Sequence, residues 1–195
     1  MARTQQQRRE ATVASLLDAS IATIAEIGYA RASAKEISRR AGVADGALFR
    51  HFPTMGEFMA ATACEALRRQ LERFGKQVSE IPAGVPAPEA VLNLLNDLTH
   101  SSTNAVVYEL LIAARTDATL RSALREVLAE YGEKLCDAAR ELPGADAYAP
   151  EQLPDLVALL ANAFDGAAIV GAVLPQPEIE ARRIPLLLAM LPTQA

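Results

Sequence analysis

Gly42 restricts how this chain can fold more than any other residue, because of what stands on either side of it. The stretch Ser33–Phe52 reads SAKEISRRAGVADGALFRHF. Ser33 and Glu36 have the S-x-x-E spacing of a capping box. The serine hydroxyl can accept from an early backbone N–H of a helix while the glutamate reaches back to the cap's own N–H. Ala34, Ile37 and Ala41 then recur at helical spacing and give a short helix a narrow apolar face. A glycine placed next takes the positive φ that ends a helix with little strain. Val43 and Leu48 sit where a turn and a second helix must pack back onto the first. The pattern therefore predicts two short helices, the second over about 44–51, hinged at Gly42.

Two short helices joined by a tight turn with glycine form a helix-turn-helix, whose second helix enters the DNA major groove, N-terminal residues first. The same hairpin serves in other helical proteins only to pack. Charge favours the first reading. The net charge is −5, but residues 1–53 hold eight Lys and Arg against five Asp and Glu. Residues 54–195 hold eleven against nineteen. Basic charge is concentrated where DNA would lie, and the acidic remainder keeps the rest of the chain off it.

Upstream, Val13, Leu16, Leu17, Ile21, Ile24 and Ile27 predict a helix over about 10–27, stopped by Gly28. Residues 1–9 read as an arm, with Arg3, Arg8 and Arg9 either along DNA or in a solvated tail. Downstream, Thr54 and Glu57 make a second capping box, opening a long helix from Met55 to about Ser79. Residues 81–88, IPAGVPAP, are the clearest linker. Five helical stretches follow, over about 89–101, 104–115, 118–141, 153–173 and 178–190, with Asp117 as a cap and Pro185 predicting a kink. The stretch Leu156–Leu174 is apolar over a membrane-spanning length but is interrupted by Asn162 and Asp165. A carboxylate near a bilayer centre is disfavoured by roughly 2.5–3.5 kcal/mol. Burial between subunits explains the run better, since a chain that is 51% hydrophobic leaves more apolar surface than a monomer buries.

Several function classes find no support. Cys64 and Cys136 have no C-x-x-C spacing, and the histidines are His51 and His100 alone, so neither a disulfide framework nor a metal site is suggested. Two isolated thiols suit a reducing cytoplasm. No apolar run follows the basic N-terminus, as a signal peptide would require. No nucleophile stands in a pattern with a base, and no glycine loop cradles phosphate. The sequence points away from an enzyme and calls for no cofactor.

Three groups of residues carry a family resemblance: Gly28-Tyr29, then Glu36-Ile37 through Ala41-Gly42-Val43, then Gly46-x-Leu48-x-x-His51-Phe52-Pro53. In that order they resemble the DNA-binding head of TetR-type (tetracycline-repressor-like) bacterial regulators, most closely over roughly residues 10–60. The resemblance implies an all-α chain with a three-helix helix-turn-helix head at 1–53 and a helical effector-binding and dimerisation body at 54–195. It implies a cytoplasmic repressor that binds a palindromic double-stranded DNA operator as a homodimer, pairs through its last two helices, and is released by a small apolar or aromatic effector. No membrane partner is implied.

At the DNA the resemblance places Arg31, Ser33, Lys35 and Arg39, then Asp45, Ala47, Phe49, Arg50 and His51. The recognition helix departs from the family pattern. Ala44 cannot cap, Asp45 reverses a charge, and Ala47 and Phe49 lack hydroxyls. Asp45 either accepts from a cytosine amino group or replaces the missing cap. For the effector, the implied cavity would take an apolar wall from Leu67, Leu71 and Phe74. Orienting polar groups would come from His100, Asn104, Tyr108, Arg115, Asn162 and Asp165, each of which also reads as a surface or satisfied-core residue. The weakened recognition helix keeps an alternative open: a helical dimer of this type that has lost specific DNA binding and serves as a ligand-binding or interaction module.

Overall fold

A computed structural model describes residues 4–44, 46–82, 85–142 and 145–191. Among these, all regular structure is helical. The helices are α1 Gln5–Ile27, α2 Ala34–Ala41, α3 Ala47–His51, α4 Met55–Ser79, α5 Ala87–Thr99, α6 Ser102–Ala114, α7 Ala118–Arg140, α8 Gln152–Gly171 and α9 Pro177–Met190. The chain forms two compact units that do not follow chain order: residues 1–69 with 102–129, and residues 70–101 with 130–195. α4 and α7 contribute to both.

In the first unit α1 packs on α2, and α6 packs on α1 and on the single 3-10 turn Tyr29–Arg31. Leu16 and Ile24 of α1, Ile37 of α2, Leu48 of α3, and Phe58 and Met59 of α4 are fully buried. Of the arm expected at residues 1–9, residues 4–9 are instead the cap and first turns of α1. Thr4 caps α1 by accepting from Gln7 N–H at 3.2 Å, and Gln7 Oε1 accepts from Thr4 N–H at 3.0 Å. Arg8 and Arg9 are therefore helical, and Arg3 lies outside the described residues. Apolar periodicity reads only a buried face, and this polar first turn has none.

The turn at Gly42 forms as expected, with φ 68° and its N–H donating to Arg39 O at 3.3 Å. Only half of the capping box at Ser33 forms. Ser33 Oγ accepts from Glu36 N–H at 3.2 Å, but the Glu36 carboxylate turns to Arg39, and Ser33 N–H donates to Arg31 O at 2.9 Å. α3 is shorter than expected, because Gly46 has φ 80°, which a right-handed helix cannot continue, and Ala47 N–H closes a turn on Ala44 O at 3.0 Å. Phe52 then stacks edge-on against Phe58 with centroids 5.0 Å apart, fixing the end of α3 on α4. Buried hydroxyls tie α1 to α4, Thr62 Oγ1 donating to Ser20 Oγ at 3.0 Å. α7 opens with the expected cap, Asp117 Oδ1 accepting from Leu120 N–H at 2.9 Å. A β-carbon on Gly56 would stand 3.0 Å from Thr119 Cγ2, so the approach of α4 to the start of α7 leaves little room for a side chain at residue 56.

In the second unit α5 packs on α8 and on α9. Phe74, Leu92, Leu98, Ala139, Leu153 and Phe164 form its core. α8 is long and apolar enough to cross a membrane by length and composition alone, yet few of its residues are buried within the chain. α9 runs through Pro185 to Met190 with no buried residue, and Val173, Leu174, Leu186 and Met190 stand exposed.

Candidate nucleic-acid interface and ligand cavity

Ser33 capping α2 and Gly42 ending it set α3 at a fixed angle, and Leu48 anchors α3 in the core. That anchoring divides α3 by face. Ala47 is buried at 8% exposure, so it packs inward and offers nothing to a partner. Phe49 is 51% exposed, and Arg50 is exposed beside it. Lys35 on α2 is exposed as well, and neither Lys35 nor Arg50 holds an ion pair among the described residues. Asp45 lies outside the described residues.

Arg31, Arg39 and Arg40 hold partners. Arg39 pairs with Glu36 at 2.5 Å, which raises the guanidinium's pKa and lowers that of the Glu36 carboxyl. Arg31 Nε donates to Ile27 O at 2.6 Å, and the Ser33 hydroxyl is occupied as a cap. Arg40, which pairs with Glu26 at 2.5 Å, is equally held. His51 is half-buried, and its Nδ1 is enclosed without a hydrogen-bond partner among the described residues. Outside these exposed pairs, the exposed side chains of α2 and α3 among the described residues are one ammonium, one guanidinium and one phenyl ring. Such a set can neutralise phosphate, donate to a base edge and make apolar contact in a groove.

The second unit holds a cavity of about 140 Å³ that opens partly to solvent. The end of α4, α5, the end of α7, the segment leading into α8 and the first half of α8 surround it. Phe74 is the one residue among the sequence candidates that lines it. Leu67, Asn104, Tyr108 and Arg115 belong to the first unit. There Leu67 is core, Asn104 Nδ2 donates to Tyr108 Oη, and Arg115 is exposed just after α6. In the second unit Leu71 is half-buried away from the lining, and His100 is exposed with Nδ1 donating to Asn96 O at 2.7 Å. Asn162 is exposed. Asp165 faces Tyr131, whose phenol is pushed up to about 12 by burial first and then by that carboxylate.

The lining that sequence reasoning missed is aliphatic: Val91, Leu92, Leu95, Leu135, Val157 and Leu160. Tyr148, in the segment between α7 and α8, joins them. Their periodicity on α5 was visible, but in a sequence a leucine facing a void looks like one filling it.

Residues 16–62 match the family described as bacterial regulatory proteins, tetR family. An uncharacterized HTH-type transcriptional regulator of Mycobacterium tuberculosis is 65% identical over 191 residues, covering 98% of each chain. The multidrug binding protein EbrR, solved with imidazole, superposes with a TM-score of 0.67 over 94% of this chain and 96% of its own, at 21% identity. The fatty acid degradation regulator FadR from Bacillus halodurans gives a TM-score of 0.62 over 100% of both chains, at 20% identity. These two likenesses speak for the fold, and the mycobacterial one for the whole length of the sequence. The chain belongs to the TetR family of bacterial transcriptional regulators.

Proposed function

We propose that this regulator is a cytoplasmic homodimeric repressor that binds a near-palindromic operator and is released by a small apolar or aromatic effector. The division of labour runs at residue 53, with the DNA-binding head at 1–53 and the effector-binding and dimerisation body at 54–195. The observation that carries the reading is the α2–Gly42–α3 turn with Lys35, Phe49 and Arg50 turned outward together. The exposed apolar side chains at the end of α8 and along α9 support pairing with a second copy of the chain, which would cover them. α4 contributes to both units, and we assign it the coupling between effector and DNA. Couplings of this kind amount to about a 5–150-fold loss of DNA affinity.

A second reading keeps the dimer and the cavity but drops specific DNA binding. It is favoured by α3's glycine cap, which has no side-chain hydrogen bond, and by the engagement of Arg31, Arg39 and Ser33 within the head. Gel-shift and footprinting with the DNA flanking the regulator's own gene separate the two. The repressor reading expects a two-fold symmetric footprint with half-sites about 34–36 Å apart or a multiple of it. Binding no tighter than to random DNA at the same salt leaves the second reading standing.

A further inference from the structure

The cavity in the second unit is nearly all hydrocarbon. Leu92, Leu95, Leu135, Val157 and Leu160 are among its walls, and among the described residues no charged side chain lines it. Its one polar side chain there is Tyr148, whose phenol burial pushes up, so that it stays protonated and able to donate. At about 140 Å³ the cavity, which opens partly to solvent, is close in size to an apolar site of about 150 Å³ that takes up benzene. An ionised carboxylate or ammonium entering it would shed its hydration and meet no opposite charge. A single ring or a short branched chain would replace empty space with contacts.

We propose that the ligand of this cavity is a small uncharged molecule about the size of a substituted benzene, carrying at most one hydrogen-bonding oxygen, which meets Tyr148. The proposal names the ligand class of the effector site assigned above, and rests on that reading only for the ligand's regulatory role. Binding itself is tested without DNA.

Toluene, p-cresol, benzoate and benzylammonium share one ring and differ in polarity and charge. Each is titrated calorimetrically onto the full-length protein at neutral pH. Toluene and p-cresol should bind, and the two ions should bind at least about a hundredfold more weakly. Tyr148→Phe should weaken p-cresol about threefold to tenfold and leave toluene unchanged. Ala161→Phe, which fills the cavity from α8, should remove both neutral ligands while p-cresol no longer raises the melting temperature. Either ion binding within about tenfold of p-cresol overturns the proposal, as does failure of both neutral probes to bind the unaltered protein. An equal loss of toluene and p-cresol in Tyr148→Phe overturns the role given to the phenol. Should the neutral probes bind as expected while operator affinity stays unchanged, the ligand class stands and the effector role assigned to this cavity fails.

Discussion

Phe49 leaves 51% of its surface in solvent, while Ala47, two residues earlier on the same short helix, leaves 8%. The family resemblance implies a hydroxyl that reaches phosphate at the position of Phe49, and a tyrosine there should supply one. Phe49→Tyr should tighten DNA binding by about threefold to tenfold, the worth of one neutral hydrogen bond. Arg50→Ala should weaken binding, and if the guanidinium rests on phosphate it should reduce the salt slope by about one. Filter binding of both variants over a range of salt checks this pair, and two unchanged slopes and affinities would place the interface elsewhere. Acid sensitivity has its own residue. Glu65 is held down from 4.5 to about 2, chiefly by the hydrogen bond from Arg68 and further by Arg69. A depressed carboxyl stabilises the fold fully above its unfolded pKa, and that contribution is lost as pH falls from about 4.5 toward 2. Arg68 and Arg69 are 50% and 36% exposed, so solvent screening leaves about 1 kcal/mol. Urea midpoints of Glu65→Gln should therefore fall less between these limits than those of the unaltered protein.

At the scale of elements, α6 is bound to the end of α1 by one carboxylate. Glu109 accepts from Tyr29 N–H, at the start of the 3-10 turn that leads into α2. Gly28 has φ 81°, and a β-carbon there would stand 3.3 Å from Glu109 Oε2, so the glycine serves both the turn and the approach of α6. Glu109→Ala removes a charge-assisted acceptor and leaves a backbone donor partly enclosed. Such a loss costs about 1.5–3 kcal/mol. Glu109→Gln, which keeps an acceptor oxygen, should recover part of it. Denaturant unfolding of the two variants decides the matter: equal stabilities would mean that water satisfies Tyr29 N–H and that α6 holds α1 by packing alone.

At the scale of the whole molecule, most of the large apolar side chains left exposed among the described residues lie on α8, α9 and the turn between them. Val173 is 86% exposed and Leu186 62%. Burying one such side chain contributes about 1.5–3 kcal/mol. Val173→Glu or Leu186→Glu should therefore weaken a dimer by at least about tenfold, and operator affinity should fall with it. Sedimentation equilibrium over a concentration series tests this, and a dimer unaltered by both substitutions would move the interface off these helices.

Much of the head was legible in the sequence, because its determinants act within about four residues of one another. Ser33 caps the next turn and Gly42 ends it with positive φ, both through local geometry that spacing alone announces, and outside the head Asp117 caps α7 in the same way. The partition of side chains was not legible. Glu36 could complete its capping box or reach Arg39, and the choice went to the charged partner one turn away. Ala47, placed at the DNA together with Phe49, turns inward while Phe49 turns outward, because the anchoring of Leu48 sets which face of α3 is exposed. Asn104 and Tyr108 looked like the polar lining of a pocket, but α6 folds with the first unit, where they bond to each other. The cavity arose instead among Leu92, Leu135, Leu160 and other aliphatic residues far apart in the chain. The sequence by itself determined the helices and their caps, since those depend on near neighbours. Only the tertiary structure decided which apolar residues fill space and which enclose it, because a void is the property of several elements packed together and no single stretch of chain carries it.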